Sequence, residues 1–176
     1  NINKTSQSHI SITNGKSSGS ILIIGNITQL SAVGGQVGSA AENSDMVLTI
    51  VNTTNDCSIS TSLVDVNGGV FGLFSNSKVI ISSATLEFIN CSNTGKIHIR
   101  TPSIVGGIVG NLFNFKKARF SGCENTGQIS GSASHSASTL GGLVGSLSNG
   151  MNVIQNPATT ILNSSNNGLI VTSCTT

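Results

Sequence analysis

Apolar residues in this chain come in short runs in which every second position is apolar, as in Thr85-Leu86-Glu87-Phe88 and Lys96-Ile97-His98-Ile99-Arg100. A period of two predicts strands with one buried face, here Ile97 and Ile99 inward and the three basic residues outward. No segment sustains a helical period. Two polar elements punctuate the runs. One is G-G-x-x-G, as GGQVG from Gly34, GGVFG from Gly68, GGIVG from Gly106 and GGLVG from Gly141. The other is CSNTGKI from Cys91, repeated as CENTGQI from Cys123 and SSNNGLI from Ser164.

Placing Cys57, Gly95, Gly127 and Gly168 in one column brings whole sets of like residues into register. Ile50, Phe88, Phe120 and Ile161 stand seven positions before it, and Ile59, Ile97, Ile129 and Ile170 two after. Asn55, Asn93, Asn125 and Asn166 stand two before. The repeat is about 36 residues long, and one copy cannot bury its apolar face alone, whereas a stack of copies can. The pattern therefore predicts an all-β protein, a parallel β-solenoid (β-helix) of about four coils starting near residues 34, 68, 106 and 141. Residues 1–33 align poorly and read as an N-terminal cap or a degenerate coil. A β-sandwich of the same strands would leave the identity within columns unexplained. Stacked coils would let the column asparagines exchange amide hydrogen bonds as a ladder. Gly95, Gly127 and Gly168 are expected to turn the chain there with positive φ.

GGIVG and GGLVG, followed by C-x-N-T-G-x-I, resemble the GLUG-type repeats of large surface and secreted proteins of bacteria and some protists. The resemblance runs from about Gly34 to Ile170, with Gln36 and Cys57 departing from it in the first copy. It implies an extracellular or cell-surface β-helical region, adhesin-like in setting, and carries no catalytic motif.

Composition narrows the partners. Only 8% of residues are charged, against roughly 25% in soluble domains, so Ser, Thr, Asn and Gly solvate the surface. A net charge of +2, scattered along the chain, argues against nucleic acid as a partner. The basic cluster Lys116, Lys117 and Arg119 reads as a solvated strand edge beside core phenylalanines. No apolar run is long enough to span a membrane. The start NINKTSQSHI carries neither an initiator Met nor a signal peptide, which suggests a processed chain or a segment of a longer one.

Candidate chemistry is sparse. The six carboxylates, Glu42, Asp45, Asp56, Asp65, Glu87 and Glu124, do not gather in neighbouring columns, so no enzymatic activity is expected. Glu87 aligns with Arg119 one coil on and is expected to pair with it. His9, His98 and His135 lack metal-ligand spacing, and no metal or cofactor is expected. An ice-binding array would need like residues on successive coils, yet His98 and Arg100 interrupt the serines at 58, 60, 130 and 132. Cys91 and Cys123 share a column at a spacing that admits a disulfide; the alternative is a stack of free thiols. Sequons occur at Asn3, Asn26, Asn52, Asn90 and Asn163, and about five are expected by chance in a chain this rich in Asn, Ser and Thr. Asn52, Asn90 and Asn163 share a column broken by Gly122, either a second, buried ladder or a row of candidate glycosylation sites on one edge.

The sequence thus predicts a non-enzymatic solenoid from an extracellular or cell-surface protein, serving as a rigid spacer, adhesive surface or filament subunit. Nothing resembling a polar cap closes its end at LIVTSCTT. That end is expected to meet further repeats of a longer chain or a second copy. A carbohydrate-active β-helix, binding or cleaving a polysaccharide, is the competing reading.

Overall fold

The computed structural model describes residues 2–4, 8–23, 32–42, 46–62, 64–76, 83–101, 103–133, 138–148 and 157–174. Every helix or strand among them is a strand. The chain winds repeatedly past four sides. The first pass is β1 (Ile2–Lys4), β2 (Ser8–Thr13), β3 (Lys16–Ile23) and β4 (Ala32–Gly34). The second is β5 (Val37–Glu42), β6 (Met46–Val51), β7 (Thr54–Thr61) and β8 (Val66–Gly68). The third is β9 (Phe71–Asn76), β10 (Thr85–Ile89), β11 (Ser92–Asn93) with β12 (Ile97–Ile99), and β13 (Ile104–Gly106). The fourth is β14 (Val109–Phe113), β15 (Lys117–Ser121), β16 (Glu124–Asn125) with β17 (Ile129–Ala133), and β18 (Thr139–Gly141). The last comprises β19 (Val144–Ser148), β20 (Ala158–Leu162), and β21 (Ser165–Asn166) with β22 (Ile170–Cys174).

Each strand pairs in parallel with its counterpart one pass away, giving sheets I to IV: β1-β5-β9-β14-β19, β2-β6-β10-β15-β20, the set from β3 to β22, and β4-β8-β13-β18. The protein is a parallel β-solenoid. Its register is the one the sequence columns predict: Ile50, Phe88, Phe120 and Ile161 are successive partners, as are Ile59, Ile97, Ile129 and Ile170. Residues 8–23 and 32–34, before the first clear repeat, follow the same path, with β3 paired to β7 from Lys16 to Ile23. The repeat was faint there because Ser17 stands where the later coils have asparagine.

Alternation decides the core. In β6 the side chains of Met46, Leu48 and Ile50 are buried, and those of Val47, Thr49 and Val51 face outward. Phe88 and Phe120 stack with centroids 5.0 Å apart and planes 6° apart, and Phe71 meets Phe88 edge-on at 5.7 Å. Each such ring contributes roughly 1.5–3 kcal/mol by burial. The buried residues form two clusters. The larger, with Phe74, Phe88 and Leu112, lies within sheets I and II; the smaller, with Ile59, Ile97 and Val105, lies within III and IV.

The expected role of the Asn-Thr-Gly turn needs correction. β11 and β12 both pair with the single unbroken strand β7, so Asn93 lies in sheet III, and Thr94 and Gly95 bridge two strands of that sheet instead of joining two sides. The corner between sheets II and III falls three residues earlier, at Asn90, whose φ is 50°. Gly95, Gly127 and Gly168 are outside the left-handed region. They are glycine for another reason: a Cβ would strike the carbonyl of the coil below, that of Cys57, Gly95 and Gly127 respectively.

Candidate functional site: the asparagine ladder and its open end

Asn55, Asn93 and Asn125 are fully buried, where an unpaired amide would be costly. Each is satisfied by its neighbours. The Nδ2 of Asn55 donates to Asn93 Oδ1, that of Asn93 to Asn125 Oδ1, and that of Asn125 to Asn166 Oδ1, all at 2.7 Å. The second hydrogen of each Nδ2 goes to the carbonyl two residues on, that of Cys57, Gly95, Gly127 or Gly168, at 3.0 to 3.3 Å. All donors in the ladder point toward the C-terminal coil.

The two recurring sequence elements prove to be facing parts of one contact. A Cβ on the second glycine of each G-G pair would collide with the ladder asparagine of the same coil: Gly35 with Asn55, Gly69 with Asn93, Gly107 with Asn125, and Gly142 with Asn166. The ladder therefore crosses the narrow waist between the two core clusters. An apolar side chain there could not satisfy the buried carbonyls of Cys57, Gly95 and Gly127, and a larger residue opposite would not fit. Spacing along the chain could reveal both motifs, but only the folded chain shows that they touch.

The second asparagine column lies at the II–III corner. Asn14, Asn52, Asn90 and Asn163 have φ between 47° and 56°, and Gly122, in the same column, has 63°. Asparagine and glycine tolerate this left-handed conformation best. These asparagines are exposed. Asn52 Nδ2 donates to Asn14 Oδ1 at 3.3 Å and Asn90 Nδ2 to Asn52 Oδ1 at 3.2 Å. The column is thus an outward row of weaker amide contacts, and backbone conformation is enough to explain its residue choice. Of the other sequons, Asn3 lies in β1, and Asn26 lies outside the described residues.

The residue after this corner is Thr53, Cys91, Cys123 or Ser164. Each donates to the carbonyl two residues back, that of Val51, Ile89, Ser121 or Leu162. The single hydrogen of each thiol has a second carbonyl in reach and is shared with it, Ile50 O at 3.4 Å from Cys91 and Phe88 O at 3.3 Å from Cys123. Both are free, buried thiols, the second of the two alternatives raised by their shared column. They stand in for the hydroxyls of their column. The contact between the thiols pushes Cys91 up, with burial adding to the rise, and holds Cys123 below its ordinary value.

The remaining candidates stay dispersed. Asp56 accepts from Thr94 Oγ1 at 2.9 Å, and Glu124 from Asn167 Nδ2 at 3.0 Å. Glu87 is the register partner of Arg119, yet the Arg119 Nε is buried with no hydrogen-bond partner. His98 bonds Ser130 through Nδ1 at 3.0 Å. Asp45 and His135 lie outside the described residues, and so do the side chains of Glu42 and Asn3. Among the described residues no three acidic, His or Cys groups converge on a metal-sized site.

The feature that stands apart is the C-terminal end of the stack. Ile161 and Ile170 belong to columns that are buried in the middle coils, yet they are 51% and 39% exposed. With Leu143, Val144, Leu147, Gly142 and Asn166, Ile161 lines a depression of about 500 Å³ at the open end of the core. Asn166 still donates to Gly168 O, but its second amide hydrogen reaches the end of the ladder. At the opposite end Ser17 takes the next place in the ladder, its Oγ donating to Asn55 Oδ1 at 2.7 Å. No protein-family model, curated protein or solved structure matches this chain.

Proposed function

We propose that this chain is a structural β-solenoid, a stiff spacer in an extracellular or cell-surface protein, whose work is mechanical and not catalytic. The observation that carries this reading is the asparagine ladder, in register through four successive coils, buried in the first three and packed in each against the second glycine of the G-G pair. Such a stack resists bending because a tilt between coils would stretch several short amide bonds at once. Its low charge and its Ser, Thr and Asn surface suit an exposed, weakly interacting shaft. The resemblance to GLUG-type repeats supports the location.

The test combines small-angle scattering with binding and depolymerisation assays on a panel of polysaccharides, and with fractionation of the source cells. A stiff particle that ignores polysaccharides and lies at the surface is the expected result. Binding or cleavage that disappears in Glu87→Gln or Arg119→Ala would replace this reading with the carbohydrate-active one.

A further inference from the structure

We propose that Cys91 and Cys123 form an oxidation site, at which a small hydroperoxide joins the two sulfurs in a disulfide that staples the third pass of the chain to the fourth. The proposal is independent of the spacer reading, because it concerns two adjacent coils and their thiols alone.

The backbone sets the distance. Asn90 N donates to Ser121 O at 2.8 Å and Glu124 N donates to Cys91 O at 2.9 Å, so the two corners are tied together on both sides of the cysteines. Ser92 and Asn93 then pair with Glu124 and Asn125. Cys91 and Cys123 are therefore neighbours at the coil spacing of about 4.8 Å, inside the range of about 4.4–6.8 Å between Cα atoms that a disulfide spans. Both lie between strands, after β10 or β15 and before β11 or β16, where the backbone is not held to the geometry of a sheet.

The side chains complete the pair. Both point inward and are fully buried. Cys123 Sγ leans onto the coil of Cys91: Phe88 O, on that coil, is 3.3 Å away, whereas Ser121 O of its own coil is at 3.8 Å. The sulfurs meet, and their hydrogen bond holds the pKa of Cys123 down to about 7 while it pushes that of Cys91 up. Cys123 is thus the sulfur that ionises, and Cys91 the one that keeps its hydrogen.

The reduced fold does not need sulfur at these positions. Thr53, one coil earlier in the column, is equally buried and bonds Val51 O through a hydroxyl, and Ser164, one coil later, bonds Leu162 O in the same way. The other cysteines stand in different columns, Cys57 beside Gly19 and Cys174 beside Ala133. Among the described residues, Cys91 and Cys123 are the one pair of cysteines facing each other on adjacent coils. Their cover is thin, since each follows an exposed corner residue, Asn90 or Gly122, and the second has no side chain.

The Cys123 thiolate attacks one oxygen of hydrogen peroxide. The O–O bond breaks, the sulfur becomes a sulfenic acid, and the departing hydroxide takes up the proton that the thiol had released. The Cys91 sulfur then attacks the sulfenic sulfur, and its own proton leaves with the displaced hydroxyl group as water. Two thiols have lost two electrons and two hydrogens, and one peroxide has become two waters.

The experiment treats the reduced 176-residue chain with hydrogen peroxide, alkylates the remaining thiols, cuts with trypsin and maps the peptides by mass spectrometry. Lys96, Arg100 and Lys117 lie between the two cysteines, so the bond appears as two joined peptides. A Cys91–Cys123 link is expected as the dominant product, with an unchanged circular dichroism spectrum. Closing this loop should raise the urea midpoint and lower the unfolding constant about a hundredfold, and dithiothreitol should reverse both. Cys91→Ser keeps the bonding of the column and should stop the reaction at a Cys123 sulfenic acid, labelled by a 1,3-dicarbonyl trap. Cys123→Ser should leave Cys91 unlabelled.

A folded chain that yields no Cys91–Cys123 link overturns the proposal. So does a link no more abundant than in chain oxidised in urea, which would make it a chance pairing. A urea midpoint that stays or falls on oxidation overturns the staple, and a label on Cys91 in place of Cys123 overturns the order of attack. None of these results touches the spacer reading, which scattering and polysaccharide binding test separately.

Discussion

Asn93→Ala is expected to destabilise the fold by at least about 3 kcal/mol, whereas Asn166→Ala, in the same column, should cost about 1 kcal/mol. Asn93 is fully buried and its side chain takes part in three hydrogen bonds: it accepts from Asn55 and donates to Asn125 Oδ1 and Gly95 O. Alanine leaves one donor and two acceptors without partners inside the core. Each costs roughly 1–3 kcal/mol when water cannot replace the lost partner. Asn166 makes equivalent bonds to Asn125 and Gly168, but it is exposed, so water takes over. Asn93→Asp provides a sign test. A carboxylate still accepts from Asn55 but faces Asn125 Oδ1 and Gly95 O with no hydrogen to donate, and burial raises its folded pKa above the unfolded value of about 3.9. Stability gained by holding that proton is present below the unfolded pKa and lost as pH rises through the folded one. The Asp variant should therefore unfold at lower urea concentration at pH 7 than at pH 4, measured against wild type at each pH. Urea titrations followed by circular dichroism give the midpoints, with m expected to stay constant. Equal costs for Asn93→Ala and Asn166→Ala would refute the claim that burial of the ladder, and not asparagine propensity, supplies the stability.

The left-handed corner predicts that Asn90→Gly is nearly neutral while Asn90→Val costs about 1–2 kcal/mol, by thermal or urea melting, because only the β-branched residue strains at this φ. Gly107→Ala should prevent folding or cost at least about 3 kcal/mol, since its methyl group would enter the space held by Asn125 and the Gly142 carbonyl. Cys91→Ser should lie within about 1 kcal/mol of wild type, because Thr53 and Ser164 already make the same contact with oxygen. In a Cys174→Ser background, modification of Cys57, Cys91 and Cys123 by an aromatic disulfide should proceed no faster than unfolding, since all three thiols are buried.

Much of this architecture was legible along the chain because a solenoid writes its contacts as a period. Ile59, Ile97, Ile129 and Ile170 are partners in space and repeat at nearly equal intervals in sequence. Strand alternation, coil register and the asparagine ladder follow from that one regularity, since adjacent coils are the only neighbours most residues have. The first coil was hidden for the same reason: with Ser17 for asparagine and no G-G-x-x-G before it, it shares too few columns to be counted, though its backbone pairs as the others do.

What the tertiary structure alone decided are the contacts across the coil, which have no fixed sequence separation. Nothing in the spacing indicates that Gly69 lies against Asn93, or that the corner belongs to Asn90 and not to Gly95. Both depend on how four sides close around a waist too narrow for a Cβ. Exposure, likewise, is a property of the stack. Ile129 and Ile170 occupy equivalent places in the repeat, and one is sealed while the other is open because burial in a solenoid is conferred by the next coil.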